Sequence, residues 1–237
     1  MNVASIAGMW DRLTGTQADP PRWLIWATAV LALAAVLSGG VWRIVRNAVT
    51  IAHEGGHGLV ALLTGRRLDG IRLHSDTSGL TVSRGRARGP GMVLTAAAGY
   101  TAPPLLGLAG AALLAAGHIT ALLWGATALL LAMLVMIRNA YGALTVVLTG
   151  ALFLLVSWVT KAQVQAAFAY LVVWFLLAGG ARPVAELQRS RRRDRSGNSD
   201  ADQLGRLTGT PAALWLFFFY VIALCAVVGG GQWLLIR

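Results

Sequence analysis

Residues 105–137 form a continuous segment that contains no Asp, Glu, Lys or Arg. Helices of a soluble domain need charged faces, so an uncharged surface of this length is expected only in a lipid bilayer. The composition agrees, because 57% of the 237 residues are hydrophobic and only 12% are charged. The chain is therefore predicted to be an integral membrane protein.

Apolar stretches of roughly 17 to 25 residues recur along the chain, and each is a candidate membrane-spanning helix. They lie near residues 23–42, 47–63, 91–116, 118–137, 139–157, 162–180 and 212–235. We predict an all-α polytopic membrane protein with about seven transmembrane helices and a small cytoplasmic-side β-hairpin. Residues 1–22 form an amino-terminal segment and residues 23–237 one membrane-embedded domain, which includes a hairpin loop (64–90) and a basic loop (181–211).

The basic residues predict the orientation of these spans, since cytoplasmic loops are enriched in Lys and Arg. Seven spans place 16 of the 20 basic residues on the side of the amino terminus and both long loops, and the other 4 on the opposite side. Those three segments are therefore predicted to be cytoplasmic, in a protein of the inner cell membrane. This sidedness and attraction to anionic lipid explain the net charge of +11, so no nucleic-acid partner is expected.

The clearest chemistry lies in His53-Glu54-Gly55-Gly56-His57, inside the second predicted span. On a helix, positions i and i+4 lie one turn apart on the same face, so both imidazoles can bind one Zn²⁺. Glu54 then lies beside the open coordination position, where it can act as general base for the water that attacks a peptide carbonyl. The pattern predicts a zinc centre that hydrolyses amide bonds.

A pair of packed histidines without a metal is the alternative explanation of this motif. It would leave three ionisable groups in an apolar helix, each at a cost of about 2 to 3 kcal/mol. Gly55 and Gly56 are also costly, since each weakens a helix by roughly 1 kcal/mol relative to Ala, but they let another segment approach closely. Both features favour the metal site.

A third protein ligand has to reach the same depth from the cytoplasmic half of the protein. The candidates are His74, Asp69, Asp76, Asp200 and Asp202. The last two precede the final span, where a short helix could dip towards the membrane. Ser199 can cap that helix with Asp202 in the capping-box position, which explains Asp202 better than Asp200. We therefore predict Asp200 as the third ligand, with Asp202 as the alternative.

Several stretches of the sequence resemble the site-2 protease family of intramembrane zinc metalloproteases, specifically its small bacterial branch without an appended peptide-binding domain. They are residues 50–57 with 62–65, residues 73–81 and residues 199–202, supported by residues 99–100 and 138–139. The resemblance implies a membrane-embedded zinc ion held by His53, His57 and a distal aspartate, with Glu54 as catalytic base. It also implies a membrane-protein substrate that is cleaved near the cytoplasmic face.

The sequence differs from better-known members of that family at the distal aspartate. In those proteins it lies in a Leu-Asp-Gly motif on a later membrane helix, whereas here that triplet is Leu68-Asp69-Gly70, a few residues after the histidines. We interpret Asp69 and Gly70 as a turn that enters a hairpin. The third ligand therefore rests on a partial likeness in residues 199–202.

The segment after the histidines carries a hairpin signal. Ile71, Leu73, Leu80 and Val82 alternate with polar residues on either side of the turn residues 76–79. One hypothesis is that the hairpin offers an edge strand to an extended substrate, with Leu73 and Leu80 as substrate-binding residues. A short amphipathic connector at the membrane interface explains the pattern equally well.

Asn139 follows Arg138 at the cytoplasmic end of the fourth predicted span. Its amide could donate a hydrogen bond to the substrate or to a developing oxyanion, which makes it a candidate substrate-binding residue. Helix capping is the simpler alternative for an asparagine in this position.

Two classes of function are consistent with these patterns. The first is an active zinc metalloprotease, and the second is a catalytically inactive zinc-binding scaffold or interaction protein in the membrane. Glu54 favours the protease, because a structural zinc site needs no base and usually has a fourth protein ligand. A transporter is less favoured, since its charged residues are commonly spread over several spans.

Overall fold

Helices make up most of the protein in the computed structural model, which describes residues 15–193 and 199–236. The helices are α1 Arg22–Leu37, α2 Gly39–Val45, α3 Asn47–Leu63, α4 Pro90–Ala115, α5 Ile119–Met136, α6 Ala140–Val159, α7 Ala162–Gly179, α8 Ala181–Arg193, α9 Asp200–Thr208 and α10 Ala212–Leu235. Between α3 and α4 lie two strands, β1 Arg67–Leu73 and β2 Gly79–Arg84. The predicted helical architecture with one small hairpin is confirmed.

The number of membrane spans is smaller than the seven predicted. Among the described residues, α4, α5, α6, α10 and the continuous pair α7–α8 (Ala162–Arg192) are long and apolar enough to cross a membrane. Helices α1 and α2 together form a sixth candidate, but they are bent by 99° where they meet. The motif-bearing helix α3 has only 17 residues and is not among the candidates.

Helices α1, α2 and α3 share a single crossing. The end of α1 and the start of α3 meet at Gly179, where an added Cβ would lie 3.7 Å from Val36 and 3.3 Å from Val49. The next residue, Gly180, packs against Pro104 near the middle of α4. Helix α1 therefore ends level with the middle of α4, the chain bends by 99° into α2, and α3 continues towards the hairpin.

The described part of the amino-terminal segment lies at the end of the helix bundle that is distant from the hairpin, whereas the sequence predicted both on one side. The backbone N–H of Gln17 donates to the Gly117 carbonyl (2.8 Å), and the Thr120 N–H donates to the Gln17 side chain (3.1 Å). The turn between α4 and α5 lies on the opposite side from the hairpin, because α4 leads away from it. The described part of the amino-terminal segment and the long loops therefore lie on opposite sides; residues 1–14 lie outside the described residues.

The predicted basic loop, residues 181–211, is largely helical. Helix α8 extends α7 without interruption, and α9 is a separate short helix that begins at Asp200. A capping box between Ser199 and Asp202 starts α9, and Gly209 ends it in the left-handed conformation (φ 71°). The chain then enters α10 at Pro211.

The hairpin forms as predicted, although its details differ. Strands β1 and β2 are antiparallel, with Leu73 opposite Gly79, and β1 contains an irregularity between Leu68 and Gly70. Asp69 and Gly70 therefore lie within a strand, and the prediction that they form a turn is wrong. Gly70 is needed for close packing, because an added Cβ would lie 3.2 Å from the Met136 carbonyl oxygen.

Apolar side chains hold α9 against its neighbours. Ala201 and Leu204 are fully buried in a cluster with Ala96 of α4, Val184 of α8 and Phe219 of α10. Close packing of such side chains is the main source of helix association inside a membrane. The cluster fixes the first turn of α9 beside α4, which also packs against α3.

Labelling of single cysteines with a membrane-impermeant maleimide tests this topology. In a Cys225→Ser background, Thr16→Cys and Lys161→Cys are expected to react from one side of the membrane, because both positions lie at the end distant from the hairpin. Ser75→Cys, in the hairpin turn, should react from the other side. Labelling of Thr16→Cys and Ser75→Cys from the same side would contradict the single crossing of α1, α2 and α3.

Candidate metal centre

Helix α3 places the two motif histidines side by side. Their Nε2 atoms are 3.1 Å apart, and their rings meet edge to face with centroids separated by 4.7 Å. His57 is buried and His53 is partly buried, while Glu54, between them in sequence, has 5% of its surface exposed. One turn of helix thus presents two imidazole nitrogens to the same point.

Asp200 supplies a third donor atom at that point. Its Oδ2 lies 3.3 Å from Nε2 of His53 and 3.3 Å from Nε2 of His57. Burial acts to raise the pKa of this carboxyl, but the hydrogen bonds with both imidazoles outweigh burial and hold the pKa well below its usual range. Asp200 is therefore ionised at neutral pH.

Asp202 has a different role from Asp200. Its carboxylate accepts hydrogen bonds from the Ser199 backbone N–H (3.2 Å) and from Arg191 Nη2 (2.6 Å). Burial acts to raise the pKa of the Asp202 carboxyl. The contacts with Ser199 and Arg191 outweigh burial, so the pKa lies below its usual range. The structure thus uses Asp202 to cap α9 and brings Asp200 to the histidines.

Glycines of two helices make room for this cluster. A Cβ added to Gly99 of α4 would lie 2.5 Å from His53 Nε2 and closer still to His57 Nε2. A Cβ on Gly56 of α3 would lie 3.0 Å from the Ala98 carbonyl oxygen. Helices α3 and α4 can therefore approach each other only because both positions lack a side chain.

A backbone carbonyl orients His57. Its Nδ1 lies 2.7 Å from the carbonyl oxygen of Thr95, which can only accept a hydrogen bond. Nδ1 therefore carries a proton, and Nε2 is the ring nitrogen that faces Asp200 and His53 and is available to a metal ion. Metal-binding histidines usually have such a partner on the second ring nitrogen, which fixes the tautomer and the orientation of the ring.

The hairpin holds the carboxylate of Glu54. Thr81 of β2 donates its hydroxyl proton to Glu54 Oε2 at 2.6 Å. Gly79 lies so close that an added Cβ would be 2.5 Å from Glu54 Oε1. The turn before β2 is also fixed to α3, because Thr50 donates to the Thr77 carbonyl at 2.9 Å. The hairpin therefore lies directly over the motif.

A cavity of about 210 Å³ opens beside these residues. His53, Glu54 and Tyr100 line it from the α3–α4 side, and the ring of Tyr100 packs edge to face against His53 with centroids 4.7 Å apart. The remaining wall consists of the hairpin turn, the end of α2, the start of α3 and one residue of α8, namely Trp42, Arg46, Val49, Thr50, Thr77, Ser78, Gly79 and Pro183.

The donor set fits a zinc ion. Two imidazole nitrogens and one carboxylate oxygen lie within 4.8 Å of one another, and the Thr95 carbonyl holds the second ring nitrogen of His57. Three protein ligands with an open fourth position are typical of catalytic zinc sites, whereas structural sites have four. Among the described residues, His53, His57 and Asp200 are the His, Cys, Asp or Glu side chains that lie close enough together to hold a metal ion.

The other third-ligand candidates lie elsewhere. Asp69 pairs with Arg84 at 2.6 Å, and His74 lies in the exposed hairpin turn. Asp76 is exposed and caps that turn, where hydrogen bonds from the hydroxyl and the N–H of Ser78 lower its pKa.

The three candidate substrate-binding residues are placed differently from one another. Asn139 pairs with both backbone groups of Leu73, accepting from its N–H (3.2 Å) and donating to its carbonyl (2.7 Å). Asn139 stands at the N-cap position of α6, but its side chain makes no capping hydrogen bond there. Leu73 is 2% exposed and belongs to the core, whereas Leu80 is 51% exposed on the outer face of β2.

Thr81, Thr95 and Gly99 contact the motif, although the sequence predicted no role for them. Thr95 and Gly99 lie one helical turn apart on α4. A polar residue and a glycine at this spacing in an apolar helix are a usable signal for close approach. Thr81 carries no comparable signal, because a threonine is ordinary in a β-strand.

The comparison with known protein families decides the class of the protein. The Peptidase M50B-like family matches residues 26–230. The chain belongs to this family. It is a site-2 protease family, so the resemblance is confirmed and the protein is a membrane peptidase by family. No curated protein and no solved structure matches the chain.

Gly99→Ala tests whether the close approach of α3 and α4 controls the metal centre. The added methyl group would displace both imidazoles, so zinc content is expected to fall to a small fraction of the wild-type value. Gly125→Ala, in α5, is the matched control because nothing lies within 4 Å of its added Cβ. The control should keep its zinc and gain up to about 1 kcal/mol of stability. Full zinc occupancy in Gly99→Ala, measured by elemental analysis, would contradict the packing argument.

Proposed function

We propose that the protein is a zinc metalloendopeptidase that hydrolyses peptide bonds of membrane-protein substrates. The observation that carries this proposal is the convergence of His53, His57 and Asp200 beside the buried carboxylate of Glu54. Zinc bound by these three residues would supply Lewis acidity, which activates water and polarises a peptide carbonyl. Membership of a peptidase family supports the same conclusion.

Glu54 is proposed as the general base. Thr81 holds Oε2, so Oε1 is the oxygen that remains to accept a proton from the attacking water. The same carboxyl can then return the proton to the leaving amine. The hydrogen bond from Thr81 also fixes the rotamer of Glu54, and Thr95 keeps His57 in the tautomer that a metal ligand needs.

The free edge of β2 is proposed to bind the substrate in an extended conformation. The N–H and carbonyl of Leu73 point away from β2, towards Asn139. Leu73 lies opposite Gly79 and Ile71 opposite Thr81, so in an antiparallel ladder the backbone groups of Gly79 and Thr81 also point outwards. These groups lie next to Glu54, where an added strand would bring its amides to the metal centre.

An inactive zinc-binding scaffold is the alternative, and the site geometry disfavours it. A purely structural centre usually has a fourth protein ligand. Here the neighbouring acid, Glu54, is held by the hairpin next to the cavity instead.

The hairpin side is proposed to be cytoplasmic, in the inner membrane. With Arg22 on the opposite side, the hairpin side still has the larger number of arginines. Cytoplasmic loops are the ones enriched in Lys and Arg. The exposed Arg189 and Arg192 of α8 are proposed to attract anionic lipid at that surface.

Glu54→Gln tests the catalytic role of the centre. The amide cannot accept the proton, so cleavage of a membrane-embedded reporter should fall by at least about a hundredfold while zinc content is unchanged. Asp200→Ala should lose zinc, and Asp202→Ala should keep zinc but unfold at a lower temperature. Wild-type cleavage by Glu54→Gln would support the scaffold instead, and zinc loss confined to Asp202→Ala would reverse the assignment of the ligand.

N-methylated peptides test strand addition. A substrate-derived peptide with methyl groups on the alternate amides that face β2 should bind at least about tenfold more weakly, because it loses two or more hydrogen bonds. The control carries methyl groups on the intervening amides and should bind like the parent peptide. Equal affinity of all three peptides in a competition assay would exclude pairing along β2.

A further inference from the structure

A group of charged side chains lies beside the metal centre and has no part in the mechanism above. Glu186 of α8 contacts Arg46 at 3.2 Å and Arg182 at 3.2 Å, and it accepts a hydrogen bond from Trp42 Nε1 at 2.8 Å. These residues join the α1–α2 break to the start of α8. Ionisable groups packed between apolar helices are costly and are often functional.

Two members of the group have evident structural roles. Arg182 donates to the Val36 carbonyl, which the end of α1 leaves without a helical partner, and its guanidinium lies 4.7 Å from the centre of the Trp42 ring. Glu186 joins Arg182 and Trp42 to each other. The pair therefore fastens the broken helix to α8.

Arg46 differs because it faces the cavity. Its side chain is 31% exposed and lines the same 210 Å³ cavity as His53 and Glu54. A guanidinium carries five N–H donors, more than the single 3.2 Å contact with Glu186 requires. Guanidinium donors that face a peptide-binding cavity match a carboxylate best, since the two planar groups can form parallel hydrogen bonds.

The charges of the cavity also favour an anionic group. Two arginines and one glutamate leave a single positive charge in the group. At the proposed metal centre, the charge of Zn²⁺ is balanced by Asp200 and Glu54, so that centre does not compensate the excess. A carboxylate in the cavity would neutralise this excess positive charge.

We infer that Arg46 is a specificity-determining residue that binds a carboxylate of the peptide substrate next to the scissile bond. The inference rests on the proposed function, which it deepens by naming a substrate class. The carboxylate comes either from an Asp or Glu side chain or from the carboxyl terminus of the peptide.

Paired reporters test the inference with the purified full-length chain in detergent micelles. One set carries Glu or Gln at each position around the scissile bond, and another ends in a free carboxylate or an amide at matched distances. The Glu or the free-carboxylate reporter should have a kcat/KM about tenfold higher than its neutral partner, mainly through KM. The set that shows the preference identifies the source of the carboxylate.

Variants separate recognition from a structural role. Arg46→Gln should abolish the preference, because kcat/KM should fall much more for the acidic reporters than for the neutral ones, and Arg46→Lys should keep part of the preference. Arg43→Gln, on the exposed face of α2, is the matched control and should keep all of it. Glu186→Gln releases Arg46 while retaining an acceptor for Trp42, and should strengthen the preference.

The outcomes distinguish this inference from the proposed function. Cleavage without any charge preference, or an equal loss on charged and neutral reporters in both Arg46→Gln and Glu186→Gln, would overturn the specificity role alone. Absence of all cleavage by the wild type would count against the proposed function. In that case, peptide binding to Glu54→Gln still decides the inference. Tighter binding of the acidic peptide than of the neutral peptide, lost when Arg46→Gln is added, would support it. Equal binding of the two peptides would overturn it.

Discussion

The contact of one carboxylate with two imidazoles is the interaction on which the rest of the structure depends. Asp200 follows His57 by more than half of the chain, and no local pattern brings them together. Three features do so: the side-chain-free surface at Gly99, the buried cluster around Leu204, and the capping box that begins α9 immediately before Asp200. The geometry of the site is therefore a product of helix packing in the membrane.

Sequence patterns with a local physical cause predicted their part of the structure well. The motif on α3 follows from helical spacing, the hairpin from alternation of apolar residues, and the different roles of Asp200 and Asp202 from capping chemistry. Features that depend on distant partners were not predictable. The pairing of Asn139 with Leu73 and the hydrogen bond from Thr81 to Glu54 each join segments that no spacing rule connects.

The largest error concerned the first crossing, and its cause is physical. Residues 23–42 and 47–63 are each apolar and nearly long enough to span a bilayer, so hydropathy alone counts two helices. Because the chain bends by 99° after α1, the two stretches follow one another in the same direction instead of lying side by side. The Val36 carbonyl at the end of α1 accepts a hydrogen bond from Arg182. Since α3 starts level with the middle of α4, the motif is buried in protein although it lies only two turns from the start of its helix.

The pairing of β1 with residues 137–139 limits how the hairpin can associate. The Arg138 N–H donates to the Ile71 carbonyl, and the side-chain amide of Asn139 takes the place of a peptide group opposite Leu73. One margin of the sheet is thereby closed from within the same molecule. Exposed strand edges on both margins would let copies stack without end, whereas a protein whose sheet has one open margin can pair through it with at most one further copy. The fold thus keeps an unpaired strand beside its reactive groups without becoming a template for aggregation.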